Sequence, residues 1–195
     1  MSGIKHHEMV TALIKPGSAI LETLTDKKAD LLHMAVGVAG EAAEILLAID
    51  DHVSLNRELD RANLIEELGD IEFYLEGARQ NVGISHDEIL DILEYNHNSY
   101  IDLSTLHLAA RLSIKSGDFL DAVKKYVIYN KPQDFKSLFS GMSGIEAYMS
   151  ALRARFDITR EEVLAANIYK LAEGPNARYK KGYSDKAAQD RADKA

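Results

Sequence analysis

The sequence predicts an all-α protein, and three observations carry that prediction. Apolar residues recur at three- and four-residue steps over two stretches of more than twenty residues each. Three prolines, twelve glycines and no tryptophan suit a helical bundle better than a sandwich or barrel. The order of helical stretches in the first half then returns in the second.

Taken in order, Lys15-Pro16-Gly17 splits an N-terminal helical stretch, because proline lacks the N–H that a helix interior needs. Ala29–Asp51 reads as one long helix with an apolar stripe of Leu32, Ala35, Val36, Ala39, Ala43, Leu46 and Leu47. Thr25-Asp26 supplies its polar start. His52–Arg57 breaks the pattern and reads as a loop. Leu59–Val82 is the second long helix, with Leu64, Leu68, Ile71, Leu75 and Ala78 on one side. Gly83 ends it, and Ser85 caps a shorter helix over Asp87–Tyr95. From Ala172 the tail reads as exposed and only partly helical.

A shift of 74 positions aligns Leu31–Leu90 with Thr105–Leu164 without a gap, and about a quarter of the aligned positions are identical. Leu32/Leu106, Ala35/Ala109 and Leu46/Leu120 are matches that amphipathic patterning alone could produce. His33/His107, Asn56/Asn130, Asp60/Asp134, Glu72/Glu146, Tyr74/Tyr148, Arg79/Arg153 and Glu88/Glu162 are not. The chain therefore reads as two tandem copies of one helical unit, residues 1–103 and 104–195.

The formal net charge is −8, from 31 acidic and 23 basic residues, which argues against a nucleic-acid partner. With no cysteine there is no disulfide, thiolate metal site or Cys nucleophile. No uninterrupted apolar run reaches the ~18 residues expected of a membrane span, and Met1–Glu8 does not read as a signal peptide. The expectation is a cytoplasmic protein that meets no membrane.

Glu41 and Glu44 stand three residues apart on the first long helix, and Glu67 and Asp70 repeat that spacing on the second. Residues at i and i+3 share a helix face, so two antiparallel helices could bring both pairs together. Such oxygen donors suit Mg²⁺ or Mn²⁺ rather than Zn²⁺. Spacing alone leaves a second reading open, in which the acids are solvated decoration. The absence of Lys or Arg between Ala35 and Ile49, and the crowding of Glu66, Glu67, Asp70 and Glu72, weigh against it. Glu94-Tyr95-Asn96-His97 has the spacing of a di-iron motif but occurs once, without a counterpart in the repeat.

In this context Gly40-Glu41-Ala42-Ala43-Glu44 and Glu66-Glu67-Leu68-Gly69-Asp70 resemble the paired acidic motifs of the MazG-like family of all-α nucleotide pyrophosphohydrolases. The segments Asp121–Asp134 and Val163–Lys194 are similar to parts of small single-unit members, phage-encoded ones among them. The resemblance implies Mg²⁺, with Mn²⁺ as a substitute, held by Glu41, Glu44, Glu67 and Asp70. It implies hydrolysis of a nucleoside triphosphate to monophosphate and pyrophosphate, with one of the four carboxylates, Glu41 and Glu44 being the first candidates, acting as base.

The second copy departs from the motif: Lys115, Asp118, Gly141 and Gly144 stand where the first has Glu41, Glu44, Glu67 and Asp70. It carries instead Lys124, Lys125 and Lys131, Asn167 and Lys170, and Arg178-Tyr179, which are expected to reach the substrate; a solvated basic face is the plain alternative for each lysine. The family's small members resemble obligate dimers, so the fused copies imply an intramolecular pseudo-dimer, with a homo-dimer of pseudo-dimers as a further step. His33 is read first as a hydrogen-bonded core residue and second as a contact to the base, and Tyr74 and Tyr148 as packing residues. A different class remains beside the enzyme: a helical protein that binds nucleotide or serves as scaffold without turnover.

Overall fold

The computed structural model describes residues 3–90, 102–177 and 182–190, and every helix and strand element among them is helical. The chain opens with α1 (His6–Leu13) and α2 (Gly17–Leu21), separated at Pro16, the N-cap of α2. Four long helices follow as two hairpins: α3 (Asp26–Ser54) with α4 (Arg61–Val82), and α5 (Thr105–Val127) with α6 (Phe135–Arg155). Then come α7 (Arg160–Ile168), a π-helical turn over Tyr169–Glu173, and α8 (Asp185–Asp190).

Side-chain caps set the helix starts. Thr25, Asp60, Ser104, Asp134 and Thr159 each accept a hydrogen bond from the backbone N–H three residues on. Ser85 and Glu88 form a reciprocal capping box before helical residues 86–90. The rest of the helix expected over Asp87–Tyr95, and Glu94 and His97, lie outside the described residues.

Within the first hairpin the helices run antiparallel, since Asn81 near the end of α4 hydrogen-bonds the Lys27 carbonyl at the start of α3 (2.9 Å). The hairpins meet along α3 and α5. Ser113 donates to the Ala42 carbonyl (2.9 Å), while Asn130, just past α5, meets Lys28 near the start of α3 (2.6 Å), so these two helices are antiparallel as well. The short α7 crosses from the second half to pack on α4.

Two expectations about α3 need correction. The helix does not stop at Asp51 but continues through His52 to Ser54. Its buried stripe is Leu31, Ala35, Val38, Ala42, Ile45 and Ile49, whereas Val36 and Leu47 are exposed. A helix apolar on nearly every side has no phase that periodicity can read; the packing against α4 and α5 chooses it. On α4, with one apolar side, Leu64, Leu68, Ile71, Leu75 and Ala78 are all fully buried as expected. Averaged over eighteen residues, α3 also reaches a mean hydropathy of 1.6 and is long and apolar enough to cross a membrane by length and composition, which counting uninterrupted runs had missed.

His33 and His107 are exposed rather than buried in the core. His33 rests edge-on against Tyr74, with ring centroids 5.8 Å apart, and His107 lies 3.1 Å from the Ser104 hydroxyl of its own cap. Tyr74 packs over Gly37, where a Cβ would fall 2.5 Å from the ring, and Tyr148 is buried.

Positions 74 residues apart share local geometry. Asn56 and Asn130 both take φ = 52°, and Asp60 and Asp134 cap the helix that follows each of them. Gly83 and Asp157 both have positive φ. Ile84 donates its N–H to the Arg79 carbonyl (3.1 Å), as Ile158 does to that of Arg153 (2.9 Å). Glu72 is chelated by Arg160 (2.7 and 2.9 Å), and at the shifted positions Glu146 faces His86 (3.8 Å). That last correspondence is reciprocal, since each half's buried glutamate faces a residue of the other half.

Candidate metal centre

The antiparallel α3–α4 hairpin brings together three of the four carboxylates expected to hold a metal. Oxygens of Glu41, Glu67 and Asp70 lie within 4.8 Å of one another. Glu67 is 2% exposed, while Glu41 and Asp70 are partly buried. Glu44 stays outside this group, exposed one turn further along α3.

Burial pushes the Glu41 carboxyl above its ordinary value, and the charges of Asp70 and Glu44 push it further. A hydrogen bond with Glu67 and the nearby Lys170 ammonium oppose them without cancelling the rise. Acids packed this closely repel, and a cation among them relieves the repulsion. The donors are hard carboxylate oxygens, which fit Mg²⁺ or Mn²⁺.

The second half reaches into this cluster. Asn167 of α7 donates to one oxygen of Asp70 (3.0 Å), and Lys170 donates to the other (2.6 Å) and to Glu66 (3.0 Å). Gly69 permits the approach: a Cβ there would sit 3.0 Å from that of Asn167. Lys170 lies in the π-helical turn, whose wider i→i+5 winding displaces side chains from their α-helical direction. Burial pulls the Lys170 ammonium toward the neutral form, but its bonds and attraction to Asp70 and Glu66 win and raise its pKa. Each carboxylate oxygen keeps a second lone pair, so Asp70 can hold these donors and a metal together.

Beside the cluster, a cavity of about 310 Å³ lies between the start of α4 and the 166–177 segment. Ile65, Glu66, Asn167, Tyr169, Lys170 and Asn176 are among its lining residues. Its mixed polar and apolar wall and its size fall within the ordinary range of small-ligand pockets.

The structure thus brings Glu41, Glu67, Asp70, Asn167 and Lys170 together and leaves other expected residues elsewhere. Lys124 and Lys125 pair with Asp121 on their own helix. The loop bearing Lys131 follows Asn130, which touches Lys28, thirteen residues before Glu41. At 1.5 Å per residue that is about 20 Å along α3. Basic character alone suggested these lysines, and basic character carries no information about which helix faces which. His33 lies eight residues before Glu41, roughly 12 Å along the same axis, and Arg178 and Tyr179 lie outside the described residues. Glu66 figured only in the acidic crowding on α4, not as a partner of Lys170, and Tyr169 and Asn176 carried no site reading. The helical neighbourhood of Asn167 and Lys170 was the available signal for Tyr169, whereas nothing local marks Asn176.

Comparison with protein-family models, with curated proteins and with solved structures returned no match.

Proposed function

We propose that this chain is a Mg²⁺-dependent nucleoside triphosphate pyrophosphohydrolase, acting on an NTP or dNTP, built as an intramolecular pseudo-dimer of two tandem units, 1–103 and 104–195. One observation carries the reading: Glu41, Glu67 and Asp70 of the first half converge beside a nucleoside-sized cavity, and Asn167 and Lys170 of the second half close the same site. The reciprocal pairing of Glu72 with Arg160 and Glu146 with His86 supports the pseudo-dimer.

In this reading Glu41, Glu67 and Asp70 hold the metal, which supplies charge to offset the triphosphate oxygens. Lys170 gives phosphate oxygens a fixed ammonium, and Asn167 fixes the orientation of Asp70. Tyr169 and Asn176 line the place for base and sugar. Glu44, outside the three-oxygen group and one turn from Glu41, accepts the proton of the attacking water. A membrane-spanning α3 would carry Glu41 and Glu44 into hydrocarbon, which argues against that placement; the cytoplasm is the location this reading proposes.

The test is product analysis after incubation with Mg²⁺ and a panel of NTPs and dNTPs. Monophosphate and pyrophosphate should form, and Glu41→Gln and Glu67→Gln should each lower the rate by roughly 100-fold or more, as removal of several kcal/mol of charge stabilisation implies. Glu44→Gln should lower kcat while leaving Mg²⁺ affinity in place. The Lys170 ammonium already offsets part of the acid charge at Asp70 and favours a second reading, a nucleotide binder without turnover. Nucleotide-dependent thermal stabilisation with no pyrophosphate release would select it.

A further inference from the structure

The second hairpin carries a larger, open-sided pocket, of about 780 Å³, whose lining includes Lys115 and Gly141, the positions equivalent to Glu41 and Glu67. Its lining includes Lys115, Lys125, Lys131 and Lys136, with the hydroxyl-bearing Ser137 and Ser140. Under the 74-residue shift Lys115 takes the place of Glu41, and Gly141 and Gly144 take those of Glu67 and Asp70. The replacements fit one another sterically. A Cβ at Gly144 would fall 2.7 Å from Cδ and 3.0 Å from Cγ of Lys115, so the lysine stem lies across the space an aspartate there would need. At Gly141 a Cβ would come within 2.9 Å of that of Phe119. Where the first half gathers acids, the second has removed two and laid a built-in cation over the gap.

We propose that this cavity is a metal-independent oligophosphate site. Four lysines line it; among the described residues Lys131 and Lys136 have no carboxylate within 4.0 Å, and Lys136 is attracted to Asp134 at longer range. Asp118, Asp121 and Asp134 are also in the wall. Lys115–Asp118 (3.0 Å) and Lys125–Asp121 (2.6 Å) are short-range pairs within one partly exposed helix, a class that contributes little to stability and exchanges readily. Asp134 is engaged by the N–H and hydroxyl of Ser137. An incoming polyanion can therefore draw Lys115 and Lys125 toward itself at small cost and meet Lys131 and Lys136 directly. A chain of two or three phosphates offers several charges to spread over four lysines, where a single small anion would engage only some of them. This proposal rests on the equivalence of the two halves and is independent of turnover at Glu41–Asp70.

The experiment is calorimetric titration of the full chain with inorganic pyrophosphate in EDTA. One saturable site is expected, weakened at least tenfold in Lys125→Glu/Lys131→Glu and unchanged within twofold in Lys170→Ala, with folding checked by circular dichroism. Should the double variant fail to fold, Lys131→Gln and Lys136→Gln take its place, each expected to weaken binding, with Lys131→Arg retaining it. A parallel titration with ATP and with adenosine separates the sources: similar affinity for ATP and pyrophosphate assigns the site to the phosphates alone, and much tighter ATP binding with competition by adenosine assigns it to a nucleotide. No saturation up to about 10 mM, where affinity becomes negligible, would overturn the proposal. So would binding that is lost in Lys170→Ala and kept in the lysine variants of the second cavity, because the anion would then sit at the first site.

Discussion

At position 41 the chain places a glutamate whose oxygens lie within 4.8 Å of those of Glu67 and Asp70; 74 residues on, it places Lys115, whose stem crosses the space above Gly144. Around this inversion of charge the backbone devices are the same. Asn56 and Asn130 turn the chain with one dihedral, Asp60 and Asp134 cap the next helix, and Ser85 and Thr159 begin the short helix after each hairpin. The two halves thus separate what the hairpin needs to form from what it holds in its cleft. Turn, cap and most core positions match, while the cleft positions differ together, Gly141 leaving room for Phe119 and Gly144 for the Lys115 stem.

The ion cluster between the halves gives the largest test of this comparison. Glu72 and Glu146 are equivalent and both buried, but their surroundings differ. Glu72 faces Arg79 (3.7 Å), Arg153 (3.5 Å) and Arg160 (2.7 Å), three permanent cations. Glu146 faces one permanent cation, Arg153 (2.9 Å), together with His86 (3.8 Å). Glu72→Gln leaves buried arginines without their carboxylate and should cost about 3–5 kcal/mol in urea denaturation. Glu146→Gln should cost clearly less, since Arg153 keeps Glu72. Equal costs would mean that the two halves are energetically interchangeable here.

The same glutamate predicts a pH dependence. Burial would raise the Glu146 carboxyl, but His86 and Arg153 outweigh burial and hold it at about 2. The folded value lies below the ordinary 4.5, so the stabilisation is complete above about pH 4.5 and is lost as pH falls toward 2. Stability should fall by a few kcal/mol over that window beyond what other groups contribute. In Glu146→Gln that part of the fall should be missing. An unchanged acid slope in the variant would show that other carboxylates govern acid unfolding.

How much of this was legible in the sequence depends on which physical signal each feature leaves. The existence of the long helices, the turn at Gly83 and the caps at Thr25 and Ser85 are written in local chemistry; the turn and caps occur where that chemistry places them, while α3 runs from Asp26 to Ser54 and α4 starts at Arg61. The acidic pairs were legible because i, i+3 spacing survives folding and the short loop makes the hairpin antiparallel. Their partners were legible only in part. Asn167 and Lys170 are far from Asp70 in sequence, and Gly69, which lets α7 come close, is an ordinary glycine until the crossing is seen. The phase of α3 was hidden by its own uniformity. Lys124, Lys125 and Lys131 looked like substrate ligands because charge was considered without direction, and direction here is decided by the α5–α6 pairing.

The finest distinction between the halves sits at the two asparagines. Both hold φ = 52°, a left-handed conformation that costs most residues roughly 1 kcal/mol and that glycine adopts freely. Only Asn130 also uses its side chain across the halves: its carbonyl oxygen accepts from Lys28 (2.6 Å), whose buried ammonium also donates to the Thr23 carbonyl and lies 5.1 Å from the Tyr126 ring. Asn56→Gly should therefore be neutral within about 0.5 kcal/mol, relief of the backbone offsetting the added freedom of the unfolded chain. Asn130→Gly gains the same relief but loses a hydrogen bond to a buried charge, and should cost about 1–2 kcal/mol. A double-mutant cycle with Lys28→Met isolates that term: the cost of Asn130→Gly should disappear in the Lys28→Met background while that of Asn56→Gly stays unchanged. If both glycine variants behave alike in both backgrounds, the asparagines serve the turn alone and the N-terminus of α3 is held to the second half by other contacts.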